Sequence, residues 1–122
     1  MTYSIVALDP QTGELGVAVQ SKAFAAGSIV GWADPQIGAV ATQAWANRFY
    51  GPDGLRLMEQ GLPPEDVAKR LTEADPGSKN RQLGIVDAGG RSFTWTGHAC
   101  IPWAGGRHSD NVAAQANICA GP

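Results

Sequence analysis

Thr2-Tyr3-Ser4-Ile5-Val6-Ala7-Leu8, the turn Asp9-Pro10-Gln11-Thr12-Gly13, and the run Leu15-Gly16-Val17-Ala18-Val19-Gln20 follow one another at the start of the chain. Two β-branched, apolar segments joined by a short Pro- and Gly-bearing connection read as a β-hairpin. Both segments are apolar at consecutive positions, Ile5 to Leu8 against Val17 to Val19, so the sheet they begin is expected to be covered on both faces. That implies a layered architecture with a strand at the extreme N-terminus.

Working outward, Ser28 to Trp32 and Ile37 to Trp45 read as a third and fourth strand. The small residues of Gly38-Ala39-Val40-Ala41-Thr42-Gln43-Ala44 allow another layer to pack close. The pattern then changes period. Gly51-Pro52-Asp53 opens a helix that Gly61 stops, and Pro63-Pro64-Glu65-Asp66 opens a second, with Val67, Ala68, Leu71 and Ala74 on one face before Asp75-Pro76-Gly77 ends it. Strands resume at Gln82 to Asp87, turn at Ala88-Gly89-Gly90, and continue from Arg91 to Thr96 with Phe93 and Trp95 on one face. A last strand is expected from Asn111 to Cys119. Strands, then helices, then strands make an α+β fold with helices on at least one sheet face.

The composition narrows the function classes. A chain of 122 residues, 43% hydrophobic, fits one domain spanning residues 1–122 with an ordinary core. Nine Lys and Arg against 11 Asp and Glu, with no basic run, give no track for phosphates, so nucleic acid is not an expected partner. No apolar run is long enough to span a membrane and the start lacks a secretory signal, so a cytoplasmic protein is expected. Cys100 and Cys119 make no disulfide framework and are expected as buried thiols. With His98 and His108 they offer no convincing zinc set, so neither metal nor cofactor is expected. Both histidines read as structural, and Trp32, Trp45, Trp95 and Trp103 as core or pocket wall, since no basic groove accompanies them.

The chemistry-bearing candidate is Thr2. Once Met1 is removed, it combines a hydroxyl nucleophile with an α-amine whose ordinary pKa, about 7.7 to 8.0, suits a general base at neutral pH. With Met1 in place there is no free amine at Thr2, and the fold would then serve binding. Taken alone, a threonine in second place is an ordinary small residue.

The runs Thr2 to Ala7, Gly16-Val17-Ala18-Val19-Gln20-Ser21-Lys22, Gly38 to Ala44 and Cys100-Ile101-Pro102-Trp103-Ala104-Gly105 together resemble the family catalogued as domain of unknown function 1028, grouped with the N-terminal nucleophile (Ntn) hydrolases. The resemblance spans essentially the whole chain. It implies an Ntn-hydrolase-like αββα sandwich of antiparallel sheets with Thr2 at the nucleophile position, acting on a small amide or peptide-like substrate. Ser21 would orient the nucleophile by a hydrogen bond. Lys22 would either lower the amine pKa by like charge or stand as a solvated loop cation. Gln43 and Asn47 would supply an oxyanion donor or hold a polar group of the substrate, although Asn47 equally suits a turn cap. Gln115 and Asn117 alternate onto one face of the last strand, in a stretch where family members tend to read Gln-Gly-Asn and this chain carries Ala116. Members also continue beyond the equivalent of Gly121-Pro122. The chain is therefore expected to be the N-terminal portion of an incomplete sandwich, its open apolar face covered by homo-oligomerisation or a complementing chain segment. The alternative function is a non-catalytic metabolite-binding or assembly module.

Overall fold

The computed structural model describes residues 1–122. The chain runs β1 (Thr2–Leu8), β2 (Leu15–Ser21), α1 (Gly27–Val30), β3 (Gly31–Asp34), β4 (Gly38–Ala44), α2 (Tyr50–Glu59), α3 (Pro64–Glu73), a 3₁₀ turn (Ser78–Asn80), β5 (Arg81–Asp87), β6 (Ser92–Thr96), β7 (Gly105–Ser109) and β8 (Val112–Asn117). The strands form two antiparallel four-stranded sheets, ordered β2-β1-β8-β7 and β3-β4-β5-β6. This is the expected α+β class. No helix is long and apolar enough to cross a membrane.

The layers run helix, sheet, sheet. Helices α2 and α3 cover one face of β3-β4-β5-β6 through Val40, Leu57, Val67, Ala68, Leu71, Leu83 and Ile85, with Phe93 and Trp95 packed alongside. A second cluster, Val6, Leu8, Val30, Ala39, Ala41, Val86 and Ala113, lies between the sheets. Its alanines let the two backbones approach closely, as the small residues of β4 suggested.

Four sequence expectations need correction. The hairpin β1–β2 forms in the anticipated register, Thr2 opposite Ser21 and Leu8 opposite Leu15, but only one of its faces is covered by this chain. Ser4, Val6 and Leu8 are buried whereas Tyr3 and Ile5 are 48% and 41% exposed. The outward side chains are apolar, yet no element packs on them, so an unbroken apolar run did not imply burial on both sides.

The expected strand from Ser28 to Trp32 is divided. Residues 27–30 make one helical turn, held by Ile29 and Val30 N–H groups donating to the Ala26 carbonyl, and β3 starts only at Gly31. A Cβ on Gly31 would lie 2.9 Å from Val17 Cγ1, so a bare α-carbon is needed where this turn meets the hairpin. Strand β7 carries no clear alternation, Gly105-Gly106-Arg107-His108-Ser109, and is made a strand by pairing with β8. Ala74 caps α3 and is exposed, outside the helix's apolar face.

The helix boundaries otherwise fall close to the expected signals. Pro64 begins α3 with Glu65 and Asp66 in its first turn. Gly61, at φ +94°, follows the end of α2 in a left-handed conformation that glycine adopts without strain.

Candidate functional site

Strand alternation and register place three polar side chains in a row at one end of the inter-sheet layer. Thr2 sits on the central strand β1, with Ser21 opposite it on β2 and Asn117 opposite it on β8. All three share the face that carries Ser4 and Val6 inward. Thr2 Oγ1 and Ser21 Oγ are hydrogen-bonded at 2.8 Å. Ser21 Oγ also accepts from the Ala23 N–H at 3.2 Å, which turns the chain at the end of β2.

Behind this row lies a cluster of buried carboxamides from both sheets: Gln43 of β4, Gln82 of β5, and Gln115 and Asn117 of β8 are each no more than 3% exposed. Gln82 is the hub. Its Nε2 donates to the carbonyls of Ala116 at 2.8 Å and Gly105 at 3.2 Å, and to Thr96 Oγ1 at 3.1 Å. Backbone carbonyls can only accept, so the orientation of this amide is dictated by its neighbours. Its Oε1 must then face donors. Gln43 Nε2 reaches it at 2.9 Å and Asn117 Nδ2 at 3.0 Å. Gln43 Nε2 also donates to the Gln115 carbonyl at 3.1 Å, and Gln115 Nε2 donates to Ser4 Oγ at 2.6 Å. A Cβ on Gly84 would fall 2.1 Å from Gln115 Oε1, so that glycine makes room for the amide on the opposite sheet. The Gln43 and Gln115 Oε1 atoms are buried with no hydrogen-bond partner.

Asn117 is thus oriented from behind: one Nδ2 hydrogen is committed to Gln82, the other has no partner within the chain, and the residue stands opposite Thr2 in the strand register. Two non-glycine residues at positive φ end strands at this pole, Ala44 at +64° and Ile118 at +55°. A β-branched residue in that region is strained, and such strain tends to collect at functional sites.

The remaining candidates lie elsewhere. Lys22 is exposed and makes no hydrogen bond or ion pair within the chain. Asn47 belongs to a separate, charged cluster on the helix side of β3-β4-β5-β6. Its Oδ1 accepts from the Phe49 N–H at 3.1 Å, the turn-capping geometry, and its Nδ2 donates to Asp75 Oδ2 at 3.1 Å. Asp75 also accepts from Tyr50 at 2.9 Å, Arg81 Nε at 3.0 Å and the Gly77 N–H at 2.8 Å. Burial alone would raise the Asp75 pKa, but the Arg81 guanidinium and these further donors hold it well below the usual carboxylate range. Tyr50 is driven the other way, above an ordinary phenol, by burial and by donating to that carboxylate.

Cys100 and Cys119 are free and half-buried, and burial pushes the Cys100 thiol up. His108 packs against the Phe93 ring with centroids 5.4 Å apart, and His98 lies in the turn before β7. Gln82 was not among the sequence candidates. Its only sequence mark is an amide at the start of an apolar strand, and its importance arises from sheet register alone.

The chain matches, over residues 2–122, the family described as "Family of unknown function (DUF1028)". It belongs to the DUF1028 family. A crystal structure of protein SPO2555 from Silicibacter pomeroyi, itself described as DUF1028, superimposes on it with a TM-score of 0.93 at 31% sequence identity. The match covers 98% of this chain and 55% of that one, so the DUF1028 chain described here spans about half the length of that solved relative. No curated protein matches it.

Proposed function

We propose that this DUF1028 protein is an N-terminal nucleophile amidohydrolase with an Ntn-hydrolase-like sandwich, acting in the cytoplasm on a small amide or peptide-like substrate, with Thr2 as nucleophile after removal of Met1. The observation that carries the reading is the row Ser21, Thr2, Asn117 at the end of the inter-sheet layer, with the Thr2 and Ser21 hydroxyls 2.8 Å apart.

In this mechanism Thr2 Oγ1 attacks the amide carbonyl carbon and its proton passes to the Thr2 α-amine. The free Nδ2 hydrogen of Asn117 donates to the developing oxyanion, and Gln82, Gln43 and Gln115 hold that amide in place. The C–N bond then breaks as the α-ammonium returns the proton to the leaving nitrogen. Water attacks the resulting Thr2 ester, the α-amine takes its proton, and the acid leaves with Thr2 restored. Ser21 orients the nucleophile. Lys22 acts on the Thr2 amine only through a solvent-screened positive potential, because it is exposed. Asn47 stays outside the proposal, its carboxamide engaged by Asp75 and Phe49.

The test is labelling by a hydroxyl-directed electrophile followed by mass mapping, on protein with Met1 removed and with Met1 retained. An adduct on Thr2 confined to the processed form supports the mechanism. Full amide hydrolysis by protein that retains Met1 would sink it.

A second reading, a non-catalytic metabolite-binding or assembly module, is favoured by the position of an apolar groove. This groove, about 490 Å³, lies on the uncovered outer face of β2-β1-β8-β7 between Tyr3, Ile5, Trp103 and Arg107, and Thr2 does not line it. Occupation of that face by a second copy or a complementing segment belongs to this reading. Unchanged cellular function in Thr2→Ala would favour it over catalysis.

A further inference from the structure

The two ends of the sandwich carry opposite charge. At the end remote from Thr2, the turns between β1 and β2, β3 and β4, β5 and β6, and β7 and β8 are tied together by backbone hydrogen bonds, Leu8 to Asn111, Asn111 to Gly90 and Ala88 to Ile37. They hold Asp9, Glu14, Asp34, Asp87 and Asp110 against a single cation, Arg91, which is already paired with Asp87. Of the loops at the Thr2 end, residues 22–26, 45–49, 97–104 and 118–122 contain no Asp or Glu, and the loop of residues 74–80, hydrogen-bonded to two of them, carries one carboxylate, Asp75, beside Lys79. They contain Lys22 and Arg48, both exposed and without an ion-pair partner. The carboxylate closest to these loops in the hydrogen-bond network, Asp75, is occupied by Arg81.

Apolar exposure gathers at the same end. Phe24 is 98% exposed three residues beyond Ser21, Trp45 is 70% exposed two residues beyond Gln43, and Ile118 is 46% exposed directly after Asn117. Each hangs from the end of a strand whose last inward side chain belongs to the site. An uncharged surface of this kind marks a contact, and unpaired cations beside it set the sign of what is drawn in.

We infer that the substrate taken at the Thr2 pole is an amide bearing both a carboxylate and an aromatic or large aliphatic group, with Lys22 and Arg48 receiving the carboxylate and Phe24, Trp45 and Ile118 the apolar part. The inference rests on the proposed placement of the reactive centre at Thr2, but charge and shape preference are properties of binding and are separable from hydrolysis.

The experiment is an NMR titration of the protein with N-acetylphenylalanine, its uncharged methyl ester, and N-acetylphenethylamine bearing a para-aminomethyl group as the cationic analogue, at low and high salt. The anionic probe is expected to bind about tenfold more tightly than the ester at low salt, with the cationic analogue weakest, and the preference is expected to shrink at high salt. Arg48→Glu should cost the anionic probe about threefold and leave the ester unchanged, and Phe24→Ala should weaken both alike. Equal affinity for the three probes, binding of none, or tighter binding of the cation overturns the inference. Retained anionic preference in protein that never hydrolyses an amide would remove the nucleophile assignment and keep the binding preference. Hydrolysis indifferent to charge would do the reverse.

Discussion

Two polar clusters, one buried and one partly buried, lie near the Thr2 end of this protein on opposite sides of the sheet β3-β4-β5-β6, and they are built on different principles. Between the sheets the members are neutral carboxamides whose orientation is dictated by backbone carbonyls around Gln82. On the helix side the members are ionised, Asp75 and Arg81, with Tyr50 and Asn47 attached. The neutral cluster holds Asn117 in the strand register opposite Thr2 and leaves acceptor atoms unpaired. The charged cluster is closed on itself: it fastens the loop after β4 and the end of α3 to the start of β5. The difference suggests a division of labour, since a neutral network keeps its geometry across pH while the charged one depends on ionisation.

The largest expected effect comes from removing the hub. Gln82→Leu would leave the Gly105 and Ala116 carbonyls and the amides of Gln43 and Asn117 short of partners inside the sandwich. A loss of about 3 kcal/mol of unfolding free energy is expected in urea denaturation, constant between pH 5 and 8. A loss below about 1 kcal/mol would show that the amide cluster does not join the sheets.

Asp75→Asn should follow, at about 2 kcal/mol at neutral pH. The sign of its pH dependence is set by the depressed folded pKa: the stabilisation is present above the unfolded carboxylate value of about 3.9 and is lost as pH falls through the lower folded value. Acid unfolding curves of the wild type should therefore carry this loss, and those of the variant should lack it. Identical acid profiles would break the contrast between the clusters.

Tyr50→Phe removes one hydrogen bond to the same carboxylate and is expected to cost about 1 kcal/mol, with the Asp75 carboxyl resonance titrating at higher pH by NMR. The smallest effect belongs to Lys22→Ala, within about 0.5 kcal/mol in thermal unfolding, because the side chain is exposed and unpaired. A larger change would place Lys22 in a contact that sharpens its role at the site.

Much of the framework was legible from local signals. The hairpin register, the two helices with their Pro and Gly boundaries, and the strand before Asp87 all follow from alternation, turn chemistry and capping, which act within a few residues. Strand β7 was not legible, since Gly105-Gly106-Arg107-His108-Ser109 extends only because β8 offers a free edge. The candidate site divided along the same line. Ser21 with Thr2, and Gln115 with Asn117, are brought together as strand position suggested. Asn47 and Gln43 stand only four residues apart in sequence, yet the end of β4 sends them to opposite sides of a sheet.

What the sequence determined by itself was most of the strands, the two main helices and a family resemblance spanning the chain, because these depend on periodicity and on residue types close together. Only the tertiary structure decided that Gln82 governs the amide cluster, that Asn47 serves a framework carboxylate, and that one face of β2-β1-β8-β7 carries no layer from this chain. Those outcomes depend on which strands become neighbours across a gap of many residues. A buried amide can satisfy its hydrogen bonds only with the partners that such pairing supplies.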